Sequence, residues 1–81
     1  MNREEVIDKI NDFLIDEFEL EADQLTPDAL LKDDLEIESL DFVDIVVIVE
    51  KEFGLKINGA EMKEVKTLDQ FYTYIHTNLN K

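Results

Sequence analysis

Cysteine is absent from this 81-residue sequence, which excludes disulfide staples and any thiolate-bound metal. The single histidine, His76, has no acid placed to make a nucleophile relay with it, and near the end of a helix it complements the dipole. No P-loop, glycine-rich dinucleotide turn or EF-hand spacing occurs, and no pair of activated groups is visible. The expectation is therefore a non-catalytic protein with no metal site. No apolar run approaches the ~18 residues of a membrane span, and the opening residues MNREEVIDKIND carry no apolar stretch of a signal peptide. A soluble cytoplasmic protein is expected, with no membrane span. Repeats, low-complexity tracts and signs of a second domain are also missing, so one domain should occupy residues 1–81.

Bases are scarce. Eight lysines and arginines face 21 acids, a net charge of −13. Such a field repels nucleic acid and anionic membranes and attracts basic protein surfaces. The apolar fraction of 44% is enough for a packed core, and without staples that core must supply the stability of a small domain.

Helical periodicity accounts for most of the chain. Over residues 3–18, Val6, Ile7, Ile10, Phe13, Leu14 and Phe18 recur mostly three or four apart, with Asn2 and Glu5 spaced as a capping box. Thr67 and Gln70 repeat that signal before a last helix, about 67–79, with Leu68, Phe71, Tyr72, Ile75 and Leu79 on one face. Residues 19–38 have no sustained period. The recurrence there of Leu25, Leu30, Leu31, Leu35 and Ile37 predicts a loop packed over the helices, with Thr26-Pro27-Asp28 starting a short turn. Asn58-Gly59 signals another turn, followed by a short third helix within 59–65.

The segment ESLDFVDIVVIVEKEFG, residues 38–54, has the β-branched filling of a buried strand. Asp44 interrupts the apolar run, however, and the end signals lie too far apart for a strand. At helical spacing, Phe42, Ile45, Val46, Val49 and Phe53 form one stripe, and Gly54 supplies the left-handed residue that ends a helix. A helix over about 39–53 is predicted. Leu40, Val43 and Val47 then fall outside the stripe, among Asp41, Asp44, Glu50 and Lys51, as a second apolar row edged by acids. Ser39 stands at the entrance, where serine commonly caps a helix.

Leu35-Glu36-Ile37-Glu38-Ser39-Leu40-Asp41, followed by Val43-Asp44 and by Glu50-Lys51-Glu52-Phe53-Gly54-Leu55-Lys56-Ile57, resembles the acyl carrier proteins. In that family an Asp-Ser-Leu motif opens helix two, and the helix ends in an acidic cluster, then Phe, a short turn and Ile. The likeness runs over nearly the whole chain.

The resemblance implies an all-α four-helix bundle with a long loop between helices one and two and a short helix three. It implies a 4′-phosphopantetheine arm, taken from coenzyme A by a phosphopantetheinyl transferase, attached to Ser39 and holding acyl groups as thioesters in fatty-acid or related lipid or polyketide biosynthesis. Glu38, Leu40, Asp41, Val43, Asp44, Val47 and Glu50 match the face gripped by acyl-transferring and synthase enzymes through basic patches. Phe42, Val46, Val49, Ile57, Met62 and Val65 correspond to an acyl cavity, and the protein is expected to act as a monomer. Several positions depart from the family pattern: Glu38 replaces Asp, Glu36 stands where Gly is common, Asn58 where Pro is common, and Phe42 and Met62 are bulkier than usual. These leave open a carrier dedicated to a special lipid, polyketide, aminoacyl or peptidyl group. An acidic interaction module that uses the same helix without an arm is the alternative from another class.

Overall fold

The computed structural model describes residues 2–80, in which four α-helices follow one another: α1 (Arg3–Phe18), α2 (Ser39–Phe53), α3 (Gly59–Met62) and α4 (Leu68–Leu79). The first begins as its capping box dictates. Asn2 Oδ1 accepts from the Glu5 N–H at 2.9 Å, and the Glu5 carboxylate accepts from the Asn2 N–H at 3.2 Å. At the start of α4 the Gln70 N–H donates to Thr67 Oγ1, and the Thr67 N–H donates to the Gln70 side chain. Gly54, at φ 65°, ends α2 in the left-handed region. Residues 38–54 are thus helical despite their β-branched filling, because burial of one stripe outweighs a few tenths of a kcal/mol per residue in propensity.

The core is shared by every helix. Val6, Ile10 and Leu14 of α1, Ile45 and Val49 of α2, Met62 of α3, and Leu68, Phe71 and Ile75 of α4 are all sealed from solvent. α1 packs along α4, where the Phe13 and Phe71 rings meet edge to face with centroids 6.4 Å apart. Polar ties reinforce this pair: Arg3 bonds Asp69 and Thr73, and the Tyr72 hydroxyl donates to Asn11. Lys9 links α1 to the end of α2, donating to the Glu52 carbonyl at 2.9 Å and lying 5.6 Å from the Phe53 ring centre. A cation there meets the negative end of the helix dipole.

The third helix is shorter than the 59–65 expected. Beyond Met62 the hydrogen bonds tighten to three-residue spacing, Glu64 N–H to the Glu61 carbonyl and Val65 N–H to the Met62 carbonyl. That turn swings Val65 into the core and frees the Lys66 carbonyl for the Leu31 N–H.

The loop 19–38 lies against the bundle as its leucines suggest, with one 3-10 turn at Ala22–Gln24. Ala29, Leu31, Leu35 and Ile37 are buried, and Leu30 forms an antiparallel bridge with Thr67. Leu31 N–H to the Lys66 carbonyl and Leu68 N–H to the Ala29 carbonyl, at 3.0 and 2.9 Å, lace it to the entrance of α4. Apart from that bridge no β-pairing occurs among the described residues, and no helix among them is long and apolar enough to cross a membrane.

Burial pushes the Tyr72 hydroxyl above the ordinary tyrosine value, against the lowering pull of its bond to Asn11. The fold therefore favours the neutral phenol. Its contribution is intact below the unfolded value of about 10 and is lost as pH rises from there through the folded value. The melting temperature should fall from about pH 10 upward. Tyr72→Phe should cost about 1 kcal/mol at pH 8 and make that fall shallower. An equal alkaline fall in Tyr72→Phe, followed by circular dichroism, would contradict the assignment.

Candidate functional site

The loop delivers the chain to α2 through a strained residue. Glu36 has φ 56°, the left-handed region, which costs a non-glycine residue about 1–2 kcal/mol. The strain is held by its neighbours: Leu35 and Ile37 are buried on either side, and the Ile37 N–H donates to the Leu31 carbonyl at 2.8 Å. Glycine would adopt this backbone freely, which is the physical reason it suits the position.

Glu38, with extended backbone, is the N-cap of α2, and Ser39 is the first helical residue rather than the cap. The Asp41 carboxylate closes the entrance by accepting from the Glu38 N–H at 2.9 Å. The Ser39 side chain is left exposed, with no hydrogen bond among the described residues, at the positive end of a fifteen-residue helix. Its hydroxyl is free to be modified, and an anion attached there would lie where the helix dipole favours it.

Ser39 also lines an open groove of about 310 Å³. Leu30, Leu31, Ile37, Phe42 and Val65 give the groove its apolar walls, while Lys32, Asp33, Lys63 and Lys66 are its charged members. Of the six cavity positions expected from sequence, Phe42 and Val65 are here. Val49 and Met62 are sealed in the core, and Val46 and Ile57 are half-buried away from the groove. The loop residues and lysines of the groove were missed, because they come from a segment without periodicity and are joined only by the pairing of residues 29–31 with 66–68. Recurring leucines in the loop were the one available signal.

The other expected surface forms as a row. Leu40, Val43 and Val47 are 82, 64 and 61% exposed, unusually open for large apolar side chains, and lie on the outer side of α2. Glu38, Asp44 and Glu50 are exposed beside them, whereas Asp41 is half-buried and occupied at the helix entrance. No group of three or more histidine, aspartate or glutamate side chains that could hold a metal ion occurs among the described residues.

Residues 8–75, the span holding Ser39, the groove and the α2 row, match the family described as "Phosphopantetheine attachment site". The chain belongs to the acyl carrier protein family. It is 31% identical to the acyl carrier protein of Petrotoga mobilis, over 99% of this chain and 94% of the relative. It is 35% identical to that of Thermotoga maritima, over 96% of each. The solved structure of the acyl carrier protein from Enterococcus faecalis superposes with a TM-score of 0.78 at 35% identity, covering 96% of this chain and 99% of that one. The all-α bundle read from the family motif is therefore the fold.

The site has a structural consequence that can be measured without any partner. Since the Ser39 hydroxyl bonds nothing among the described residues and Asp41 holds the helix entrance, Ser39→Ala should change stability by no more than about 0.5 kcal/mol. Asp41→Ala should cost about 1 kcal/mol. Urea melts of the two variants check this, and a larger loss for Ser39→Ala than for Asp41→Ala would show the hydroxyl to be structural.

Proposed function

We propose that this protein carries acyl intermediates on a 4′-phosphopantetheine arm joined to Ser39, in fatty-acid or related lipid or polyketide biosynthesis. The observation that carries the reading is the exposed, unbonded Ser39 hydroxyl at the head of α2 beside an open groove. The residues fit the arm: the hydroxyl is accessible, the helix end favours a phosphodiester, and the groove offers room and apolar walls next to it. When bound, the arm supplies a thiol that holds acyl groups as thioesters. Attachment transfers the phosphopantetheinyl group of coenzyme A to Ser39 Oγ. The pyrophosphate bond breaks, adenosine 3′,5′-bisphosphate leaves, and the hydroxyl proton passes to a base. The transferase supplies that base and Mg²⁺.

The chain's own part is presentation. Ser39 provides the oxygen, Leu31 and Ile37 fix where α2 begins, and the groove gives the base of the arm a place against the protein. On the outer side of α2, Leu40, Val43 and Val47 form the apolar centre of a docking face rimmed by Glu38, Asp44 and Glu50. Rim charges mainly set association rate and its salt dependence, while a central apolar contact sets residence time. Basic patches on the transferase and on acyl-transferring and synthase enzymes complement such a face, and the protein is a non-catalytic substrate for them, working as a monomer in the cytoplasm. Phe42 in the groove wall favours short or rigid cargo over long saturated chains.

Incubation with coenzyme A, Mg²⁺ and a phosphopantetheinyl transferase, followed by intact-mass measurement, should show one arm added to the parent and none to Ser39→Ala. An arm on any other residue would sink the assignment. Asp44→Lys should slow the modification, most at low ionic strength, and Val47→Asp should weaken later enzyme complexes at every salt concentration. If reversing the distant Asp8 or Glu21 slows modification as much, the acidity acts as a diffuse field and the docking face is not real.

A further inference from the structure

The charge of the groove beside Ser39 opposes the charge of the molecule. In a chain with eight bases and 21 acids, three of the eight, Lys32, Lys63 and Lys66, line this one groove, with Asp33 the single acid among its lining residues. They come from two separate segments, the loop before α2 and the turn after α3, brought together by the bond between the Leu31 N–H and the Lys66 carbonyl. The Lys66 ammonium is turned back over the turn, donating to the Lys63 carbonyl at 3.2 Å, which keeps it beside the turn that also carries Lys63. A basic concentration of this kind is the wrong sign for a partner that recognises the acidic row of α2. It suits an anion that the protein itself brings to the groove.

We propose that Lys32, Lys63 and Lys66 form a cradle for the phosphodiester at the root of the arm, laying the arm along the groove instead of outward from the helix. This rests on attachment at Ser39. The phosphodiester would be bonded directly to the side chain that lines the groove, so its position is set by a covalent link, and it carries a permanent negative charge. Around it stand Glu38 and Asp41 at the helix entrance and Asp33 in the groove, a local field that repels a further anion. The partial charge of the helix end, about half an elementary charge, favours the phosphodiester but is smaller than the charge of three carboxylates. Three ammonium groups on flexible stems are sufficient, and their reach lets them close on the phosphate without moving the backbone. A carboxylate at the far end of a cargo has no such fixed place, since the length of the arm separates it from the groove.

The experiment compares apo and arm-bearing protein, the latter with its thiol capped, by lysine acylation read residue by residue in mass spectra. Pairing with phosphate should slow the labelling of Lys32, Lys63 and Lys66 by roughly two- to fivefold, the factor for an exposed ion pair of up to about 1 kcal/mol. Lys51 and Lys56, outside the groove, should react equally in both forms. Lys63→Gln with Lys66→Gln should remove any melting-temperature difference between the two forms, whereas Lys56→Gln should keep it. Both lysines are exposed, so the double variant should fold. Full arm addition with unchanged labelling of all three lysines overturns the cradle and leaves the attachment reading standing. Protection that arises only when the arm carries a carboxylated acyl group, and not with the capped thiol, also overturns it and assigns the lysines to cargo. Absence of any mass gain overturns the attachment reading and the cradle with it.

Discussion

The geometry at Ser39 depends on the docking of one unperiodic segment. Residues 29–37 contribute Ala29, Leu31, Leu35 and Ile37 to the core, and their backbone is laced to residues 66–68. Fully burying a Leu or Ile is worth about 1.5–3 kcal/mol, so these anchors together rival the net stability of a domain this small. That burial also sustains the left-handed Glu36 and sets where α2 starts. Because Ile37 is held inside, the next residues must leave the core, and Ser39 emerges facing solvent. The same pairing brings Lys32 beside Lys63 and Lys66. Anchoring, presentation of the serine and construction of the groove are therefore one event in the fold.

The acidity of the chain has a spatial pattern that the net value hides. Outward from α2 there are exposed apolar side chains with Glu38, Asp44 and Glu50 around them. Around the corner of the same helix entrance, three lysines and one aspartate line the groove. Arg3 and Lys9 are spent on internal ties, to Asp69 and to the Glu52 carbonyl, so few cations are left to dilute the field elsewhere. If the arm is attached as proposed, the groove would face the anionic arm and the outer row of α2 the enzymes. The two tasks do not compete for the same side chains.

Legibility in the sequence followed the range of the forces involved. Helices α1, α2 and α4 announced themselves because caps and stripes are local: Asn2 with Glu5, Thr67 with Gln70, and the Ile45 and Val49 positions all act within a few residues. Even the β-branched α2 was readable from its spacing and from Gly54. The exposed row of Leu40, Val43 and Val47 followed from the same helical arithmetic. What escaped was set by contacts distant in sequence. The early end of α3 depends on Val65 turning inward and on the Lys66 carbonyl meeting Leu31, neither of which leaves a periodic trace. That Val49 and Met62 are sealed in the core while Phe42 and Val65 line the groove also depends on what packs across from each, since a helical stripe says only which side is inward. Ser39 yielded its cap position to Glu38 because Asp41 reaches back to close the entrance, a contact between side chain and backbone that spacing alone left undecided.

The central claim is that the segment before α2 belongs to the same cooperative unit as the helices and so holds Ser39 in place. Native-state hydrogen exchange of the apo protein tests it directly, through the amides of Leu31 and Leu68, which form the lacing bonds, and of Ile37, which donates to the Leu31 carbonyl. These should exchange only on global unfolding, with the same protection as Ile10 and Ile75 in the helical core. Exchange of Leu31 and Ile37 at rates near those of an unstructured peptide, while Ile10 and Ile75 stay protected, would contradict the account.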